Sequence, residues 1–217
     1  MLVFPENAPV DAAEWRTWLE GPEMFGALAV NNTDPAGAPL VVPAHATLTG
    51  DEVVLHLARV NPVWEHLEAA TEVRFVVTGD SAYVRNDWRA KPDVPPAEGV
   101  PTSYYASVQF RCGVQVVDNP AGIAEVLTWQ FADLQPDGGH AEVSPTDGPY
   151  ARMLPAIRAL RLPVREVVAS FKYDDEKPTE HRERVAAHLE ERGRGSDAGA
   201  AAQQRRRLRE VGERHVR

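Results

Sequence analysis

Residues 53–64 constrain the fold of this 217-residue chain more than any other stretch, and they read Val-Val-Leu-His-Leu-Ala-Arg-Val-Asn-Pro-Val-Trp. The apolar, β-branched start predicts a strand that is at least half buried. Pro62 ends the strand, because proline fixes its own backbone and keeps Asn61 out of the helical region. A short helix is predicted next, over residues 63–68, with Val63 and Leu67 on one face.

The junction between that strand and that helix suits an anion. Arg59 offers a fork of N–H donors, and the start of the helix offers unpaired backbone N–H groups. The other interpretation is a solvated arginine at the end of a strand, and the pattern alone leaves both open.

Charge and cysteine content narrow the class of protein. The net charge of −9 disfavours a nucleic-acid binder that relies on electrostatics alone. Residues 203–217 differ, because six arginines and two glutamates give them +4 and leave −13 on residues 1–202. The single Cys112 excludes an internal disulfide and fits a reducing compartment. With no signal peptide and no long apolar run, the sequence predicts a soluble, cytoplasmic protein outside the membrane.

The succession of short strands at hairpin spacing predicts an antiparallel sheet or barrel with flanking helices. Strands are predicted at residues 25–30, 40–48, 53–58, 72–78, 82–84, 102–117 and 162–171. Helices are predicted at residues 11–21, 63–68, 121–134, 150–160 and 179–191. A polar, proline-rich loop is predicted at residues 85–101. A domain of residues 1–192 would then be followed by a linker and an arginine-rich tail at residues 193–217. Residues 203–217 are expected to be solvated and poorly ordered. The alternative is a helix, since Leu208 and Val211 are three apart, although Gly212 weakens it.

Signatures of common enzymes and metal sites are absent from the sequence. It has no GxGxxG, no Walker-type loop and no HExxH. Cys112 falls in a predicted strand, where it is expected to be a small core residue. The sequence therefore predicts no metal site, and no side chain stands out as an acid or base catalyst.

Several blocks resemble the PaiB-type FMN-binding negative transcriptional regulators. Residues 56–64 look like the H-x-A-R-x-N-P-x-W motif of that family, and residues 100–105 are similar to its V-P-T-W-N-Y, with Gly113 at the expected distance beyond. Tyr83 and Trp88 resemble its Y-x-x-x-x-W. The chain departs from the family at residues 44–47, where only His45 of T-H-x-P is kept. It departs again at residues 174–176, where three acids replace S-Q-N and would repel a phosphate that they faced.

The resemblance implies a mainly β protein with flanking helices, a split β-barrel of the pyridoxine phosphate oxidase type, that binds FMN. It also implies a homodimer with the flavin site at the subunit interface. The predicted cofactor-binding residues are Arg59, Asn61, Lys172 and Thr102 for the phosphate, and Trp64, Trp88, Tyr83, Tyr104 and Tyr105 for the ring. Each of these aromatic residues has the alternative of being a core residue.

Three functions remain open at this point. The chain is an FMN-binding regulator or sensor, a flavin-dependent oxidoreductase acting on a small substrate, or a degenerate barrel without flavin. No helix-turn-helix is apparent, so a regulatory role rests on the resemblance. DNA contact through residues 203–217 would be weak and independent of base sequence.

Overall fold

The computed structural model describes residues 1–21 and 23–212, which form two units. The sheet unit comprises Leu19–Val77 and Gln109–Val167, and the helical unit comprises Met1–Trp18, Thr78–Val108 and residues 168–212. In the described residues, no helix is both long enough and apolar enough to cross a membrane.

The described residues contain nine strands and seven α-helices. The strands are β1 (Phe25–Val30), β2 (Leu40–His45), β3 (Thr47–Thr49), β4 (Glu52–Ala58), β5 (Val73–Thr78), β6 (Ala82–Val84), β7 (Thr102–Cys112), β8 (Gln115–Val117) and β9 (Ile157–Lys172). The α-helices are α1 (Glu14–Leu19), α2 (Trp64–Ala69), α3 (Asn86–Arg89), α4 (Pro120–Leu134), α5 (Gly148–Met153), α6 (Thr179–Arg192) and α7 (Asp197–Val211). Short 3₁₀ turns lie at Pro5–Asn7, Pro96–Glu98 and Leu154–Ala156.

The sheet unit is built on strands in the spatial order β2-β1-β5-β7-β9-β4-β3, with β8 paired to β9. The β1–β2, β1–β5, β3–β4, β4–β9 and β8–β9 pairs are antiparallel. In β4 the consecutive residues Val53, Val54 and Leu55 are all fully buried, so both faces of this strand are covered. The strand predicted around these residues is confirmed.

Helix α4 covers part of the sheet next to β4. Its start is fixed by Asn119, whose side chain accepts a hydrogen bond from the Gly122 N–H at 2.8 Å, and by Pro120 in the first turn. Ile123, Val126 and Leu127 of this helix pack in one apolar cluster with Val54. Burial of these side chains is the main force that holds α4 against the sheet.

The helical unit joins the β6–β7 pair to helices α3, α6 and α7. Helix α6 ends at Gly193, whose φ of 56° is the left-handed conformation that glycine adopts most easily. Helix α7 then packs along α6 and buries Ala200, Ala201, Gln204 and Arg207. Its first turn is tied to α6 by the Asp197 carboxylate, which accepts two hydrogen bonds from Arg192, at 2.7 and 2.6 Å.

Four predictions about local structure are wrong. The helix predicted at residues 150–160 ends at Met153, because Pro155 cannot continue it, and Ile157 begins β9. The strand predicted at 40–48 is interrupted at Ala46, and the one predicted at 102–117 at Gly113 and Val114. The loop predicted at residues 85–101 contains α3 and a 3₁₀ turn.

The poorly ordered run predicted at residues 203–217 is also wrong where the structure describes it, and the alternative, a helix, is what the structure has. Asp197–Val211 is a helix, and Arg207 within it is fully buried. Residues 213–217 of that predicted tail lie outside the described residues, as does Pro22 at the end of the first predicted helix. The proposed boundary between the domain and the tail, at residue 192, stays a prediction.

Candidate functional site

Arg59 lies just beyond β4 and is held by three acceptors of the sheet unit. Its Nε donates to the Pro155 carbonyl at 2.8 Å, its Nη2 to the Ile157 carbonyl at 2.9 Å and its Nη1 to the Asp118 carboxylate at 3.0 Å. A guanidinium has five N–H groups, so one on each terminal nitrogen lies beyond these three bonds. The side chain keeps 40% of its surface exposed. Arg59 is thus a positioned donor that solvent can reach.

A second arginine, Arg158 of β9, shares the carboxylate of Asp118. Its Nε donates to Asp118 Oδ1 at 2.6 Å, and its Nη2 donates to both Asp118 Oδ2 and Glu68. The guanidinium carbon also lies 4.6 Å from the centre of the Trp64 ring, within the range of a cation–π contact. Only 11% of the Arg158 side chain is exposed, whereas Asp118 is 49% exposed.

The two arginines keep Asp118 ionised. The hydrogen bond from Arg158 lowers the pKa of the Asp118 carboxyl, the partial burial of this group opposes the shift, and the bond from Arg59 adds to it. With Glu68, the cluster holds two positive and two negative charges. We call Arg59, Arg158, Asp118 and Glu68 the two-arginine cluster.

Asn61 organises the chain between β4 and α2. Its side-chain oxygen accepts from the Val63 N–H at 3.0 Å, and its carbonyl oxygen accepts from the Trp64 N–H at 3.5 Å. Trp64 itself is nearly buried and donates its indole N–H to the Ala58 carbonyl at 2.9 Å. The Val63 and Trp64 N–H groups at the start of α2 therefore have partners, and Arg59 is an accessible donor at this junction.

The β6–β7 pair of the helical unit places the predicted tyrosines on opposite faces. Its register sets Tyr83 against Ser103 and Ala82 against Tyr104. Because side chains alternate along a strand, Tyr83 and Tyr105 share one face, while Thr102 and Tyr104 share the other. Tyr83 is 57% exposed and Tyr104 is fully buried. Only the first of these faces offers an accessible aromatic surface.

Tyr104 belongs to a buried polar network. Its hydroxyl donates to Asp174 at 3.0 Å and accepts from the Gln204 amide at 3.0 Å. Burial and the neighbouring Asp174 carboxylate raise the pKa of Tyr104 above its usual range. Arg89 completes the network with a two-pronged contact to the same carboxylate, at 2.9 and 3.0 Å.

The three acids at 174–176 have cationic partners inside the helical unit. Asp174 contacts Arg89, and His181 Nε2 lies 3.5 Å from its carboxylate. Asp175 is fully buried between Arg182 and Arg207, and Glu176 pairs with Lys177. Their negative charges are thus compensated. The repulsion of a phosphate, which was predicted from the sequence, is therefore weaker.

Trp88 and Lys172 complete the set of predicted cofactor residues. The Trp88 ring stacks on His188 of α6 with 5.1 Å between centroids, and Arg192 lies over it at 4.7 Å. Lys172 is the last residue of β9 and is partly exposed. The sheet unit brings Arg59, Asn61 and Trp64 together, and the helical unit holds the other six. Their roles toward a cofactor stay predictions.

A separate cavity of about 540 Å³ lies in the helical unit, between the loop after α3 and the start of α6. Its charged lining residues have both signs, and they are Arg89, Lys91, Lys177, Arg184, Asp93, Glu98 and Glu180. This balance favours no single class of ligand.

A family described as "Putative FMN-binding domain" matches residues 1–166. The chain belongs to this FMN-binding family. No curated protein matches the chain. Helices α6 and α7 lie beyond the part of the chain that the family covers.

Two solved structures resemble the chain in fold. The flavocytochrome Anf3 from Azotobacter vinelandii is 18% identical, with a TM-score of 0.58 over 76% of this chain and 69% of that one. The FAD and heme binding protein from Mycobacterium smegmatis is 16% identical, with a TM-score of 0.57 over 83% of this chain and 80% of that one. The fold is a split β-barrel with flanking helices, and the predicted fold class is confirmed.

Membership of the FMN-binding family makes FMN the cofactor of this chain, and the two-arginine cluster fits its phosphate in chemical type. Guanidinium groups bind phosphates through paired N–H donors, and two of them lie within reach of one anion here. Sequence reasoning found Arg59 but missed Arg158 and Asp118. Arg158 was missed because it lies in residues 150–160, which were predicted to form a helix.

Proposed function

We propose that this FMN-binding protein is a regulator or sensor of the PaiB type. The observation that carries the proposal is the contact between predicted cofactor residues and the helices beyond the family-matched region. Trp88 stacks on His188 of α6, and Tyr104 is bonded to Gln204 of α7. Tyr104 is fully buried, so of these two residues only the partly exposed Trp88 could contact a cofactor, and a change at its ring would act directly on α6.

Flavin-dependent oxidoreduction of a small substrate is the second candidate. The names of the two similar structures, a flavocytochrome and an FAD and heme binding protein, favour it. Bound FMN would supply hydride or electron transfer, and the protein would supply binding and orientation.

Absorbance and turnover measurements on the purified chain separate these functions. We expect FMN to bind and to give a flavin spectrum that survives gel filtration. With an added electron acceptor such as molecular oxygen to reoxidise the flavin, the sensor proposal expects no more than about one equivalent of reduced nicotinamide cofactor to be consumed per flavin, whereas many turnovers would establish the oxidoreductase. A chain that takes up no FMN at any concentration would contradict both functions and favour the degenerate barrel.

Replacing Arg59 by alanine is expected to weaken FMN binding about tenfold or more, because charge-assisted hydrogen bonds to phosphate are lost. Lys172→Ala should change the affinity less than threefold, since a lysine is a flexible point charge without a fork. Fluorescence titration with FMN measures both, and riboflavin, which lacks the phosphate, is the control ligand. Equal losses in the two variants would contradict the assignment of Arg59.

We also propose a homodimer in solution. Strand β2 is an edge of the sheet path, and the exposed Val41 on it and Phe25 on β1 leave an apolar rim that a second copy would cover. Light scattering at micromolar concentration should return twice the chain mass of 23.9 kDa. The monomer mass under those conditions would refute the dimer.

DNA stays a proposed partner of the regulator, but the ion pairs that the arginines of α7 form within the chain disfavour DNA binding. Arg205 pairs with Glu183 and Glu190, and Arg206 and Arg207 both pair with Glu14. Arginines that are already neutralised within the chain release few counterions from DNA, so α7 contributes little to phosphate binding.

A further inference from the structure

We infer that Arg59 and Arg158 form a binding site for a phosphate monoester, and that the Asp118 carboxylate is an internal anion that competes for it. The inference rests on the proposed function, because the FMN phosphate is the monoester expected there. It adds Arg158 as a second donor to the phosphate. It also makes Asp118 a residue whose negative charge weakens the binding of an anion.

The register of three strands produces this arrangement. Strand β8 pairs with β9 so that Val117 stands opposite Ala159, and continuing the ladder by one residue sets Asp118 opposite Arg158. Strand β4 pairs with β9 so that Ala58 stands opposite Ile157, and the Arg59 N–H bonds to the Ala156 carbonyl at 2.8 Å. Two arginines on neighbouring strands thus converge on one carboxylate.

The donors of both arginines remain directed to a single anion. Asp118 Oδ1 accepts from Arg59 Nη1 and from Arg158 Nε, and this shared oxygen marks the place that a phosphate oxygen would take. Bonds to two main-chain carbonyls fix the Arg59 guanidinium, and Trp64 packs against that of Arg158. Because the donors are already oriented, little side-chain entropy is lost when an anion binds.

The Asp118 carboxylate can move away from the two arginines when an anion binds. Half of its side chain is exposed, and Glu68 stays as a partner of Arg158 when the carboxylate turns toward solvent. With Asp118 in place the cluster has no net charge, so a phosphate meets no excess of positive potential. Neutralising Asp118 leaves a net charge of +1 at the same position.

Asp118→Asn is therefore expected to raise the affinity for FMN about tenfold. The figure follows from removing one negative charge about 5 Å from a phosphate dianion in largely aqueous surroundings. Riboflavin affinity should stay within about twofold of the parent, because only the phosphate senses the charge. Glu125→Gln is the matched control, since it neutralises another exposed acid of the sheet unit outside the cluster and should leave both affinities unchanged.

Inorganic phosphate tests the inference independently of the flavin. Isothermal titration calorimetry should show about tenfold tighter phosphate binding by Asp118→Asn than by the parent, and by Asp118→Ser if the first variant does not fold. Arg158→Lys should weaken it several-fold, because the paired donors are lost. A parent that binds phosphate but no FMN would overturn the cofactor proposal alone. Equal phosphate affinities in the parent and both Asp118 variants would overturn the inference.

Discussion

Replacing Arg207 by leucine is expected to lower the free energy of unfolding by about 3–5 kcal/mol, which is the usual cost of breaking a buried ion pair. Arg207 is fully buried, donates to Asp175 through Nε at 2.8 Å and bonds to Glu14 through Nη1. Leucine fills part of the space but leaves two buried carboxylates with fewer donors. Urea denaturation of the full chain at neutral pH measures the loss.

Arg209→Ala on the same helix is the matched control for this change. Arg209 is exposed, so its removal is expected to shift the unfolding free energy by no more than about 0.5 kcal/mol. If the two variants unfold alike, the buried pairs contribute no net stability, and the packing of Ala200 and Ala201 against α6 would have to hold α7 in place.

The same arginine explains why the sequence favours a poorly ordered run over the helix that the structure has up to Val211. The inward positions of α7 are Ala200, Ala201, Gln204 and Arg207, a helical spacing that contains no large apolar residue. Hydrophobic periodicity cannot detect such a face. Its partners, Glu14 and Asp175, are far away in sequence, so the compensation of charge is visible only after folding.

Residues around Pro155 show a second limit of local reasoning. The stretch Tyr150-Ala151-Arg152-Met153-Leu154 has good helix formers, and the periodicity continues past the proline. Strand β4 nevertheless recruits residues from Ile157 onward as a neighbour, and tertiary pairing overrides local propensity. Placing Arg158 on a helix separated it from Arg59 and concealed the two-arginine cluster.

Elements with their own local signals were predicted correctly. Strand β1 has the predicted bounds Phe25–Val30, and α4 starts one residue from the predicted Ala121, where Asn119 and Pro120 mark the start of a helix. Asp11 lies just before the first helix, and its carboxylate accepts hydrogen bonds from the Ala13 and Glu14 N–H groups. Turns and caps can be predicted from residues that are adjacent in the sequence. The buried ion pairs of Arg207 cannot, because their partners lie far apart in the sequence.

Asp174→Asn is expected to lower the free energy of unfolding by roughly 2 kcal/mol at neutral pH, and to lose this effect in acid. Burial acts to raise the pKa of Asp174, but the nearby His181 side chain and the hydrogen bonds from Arg89 and Tyr104 outweigh it and lower the pKa to about 2, from 3.8. Because the pKa of Asp174 is lower in the folded state than in the unfolded state, the ionised carboxylate stabilises the fold at pH values above the unfolded-state pKa. This stabilisation is lost as the pH falls through the folded-state pKa. The difference between parent and variant should therefore be constant above about pH 5 and shrink between about pH 4 and pH 2.

Asparagine is the appropriate replacement, because Asp174 has a φ of 57° and asparagine tolerates this left-handed conformation better than other side chains. The substitution thus removes the charge without adding backbone strain. Chemical denaturation of both proteins at a series of pH values gives the two curves, and Asp137→Asn, at an exposed position, should follow the parent throughout. A difference between parent and Asp174→Asn that stays the same down to pH 2 would mean that the lost hydrogen bonds, and not the ionised carboxylate, account for the destabilisation.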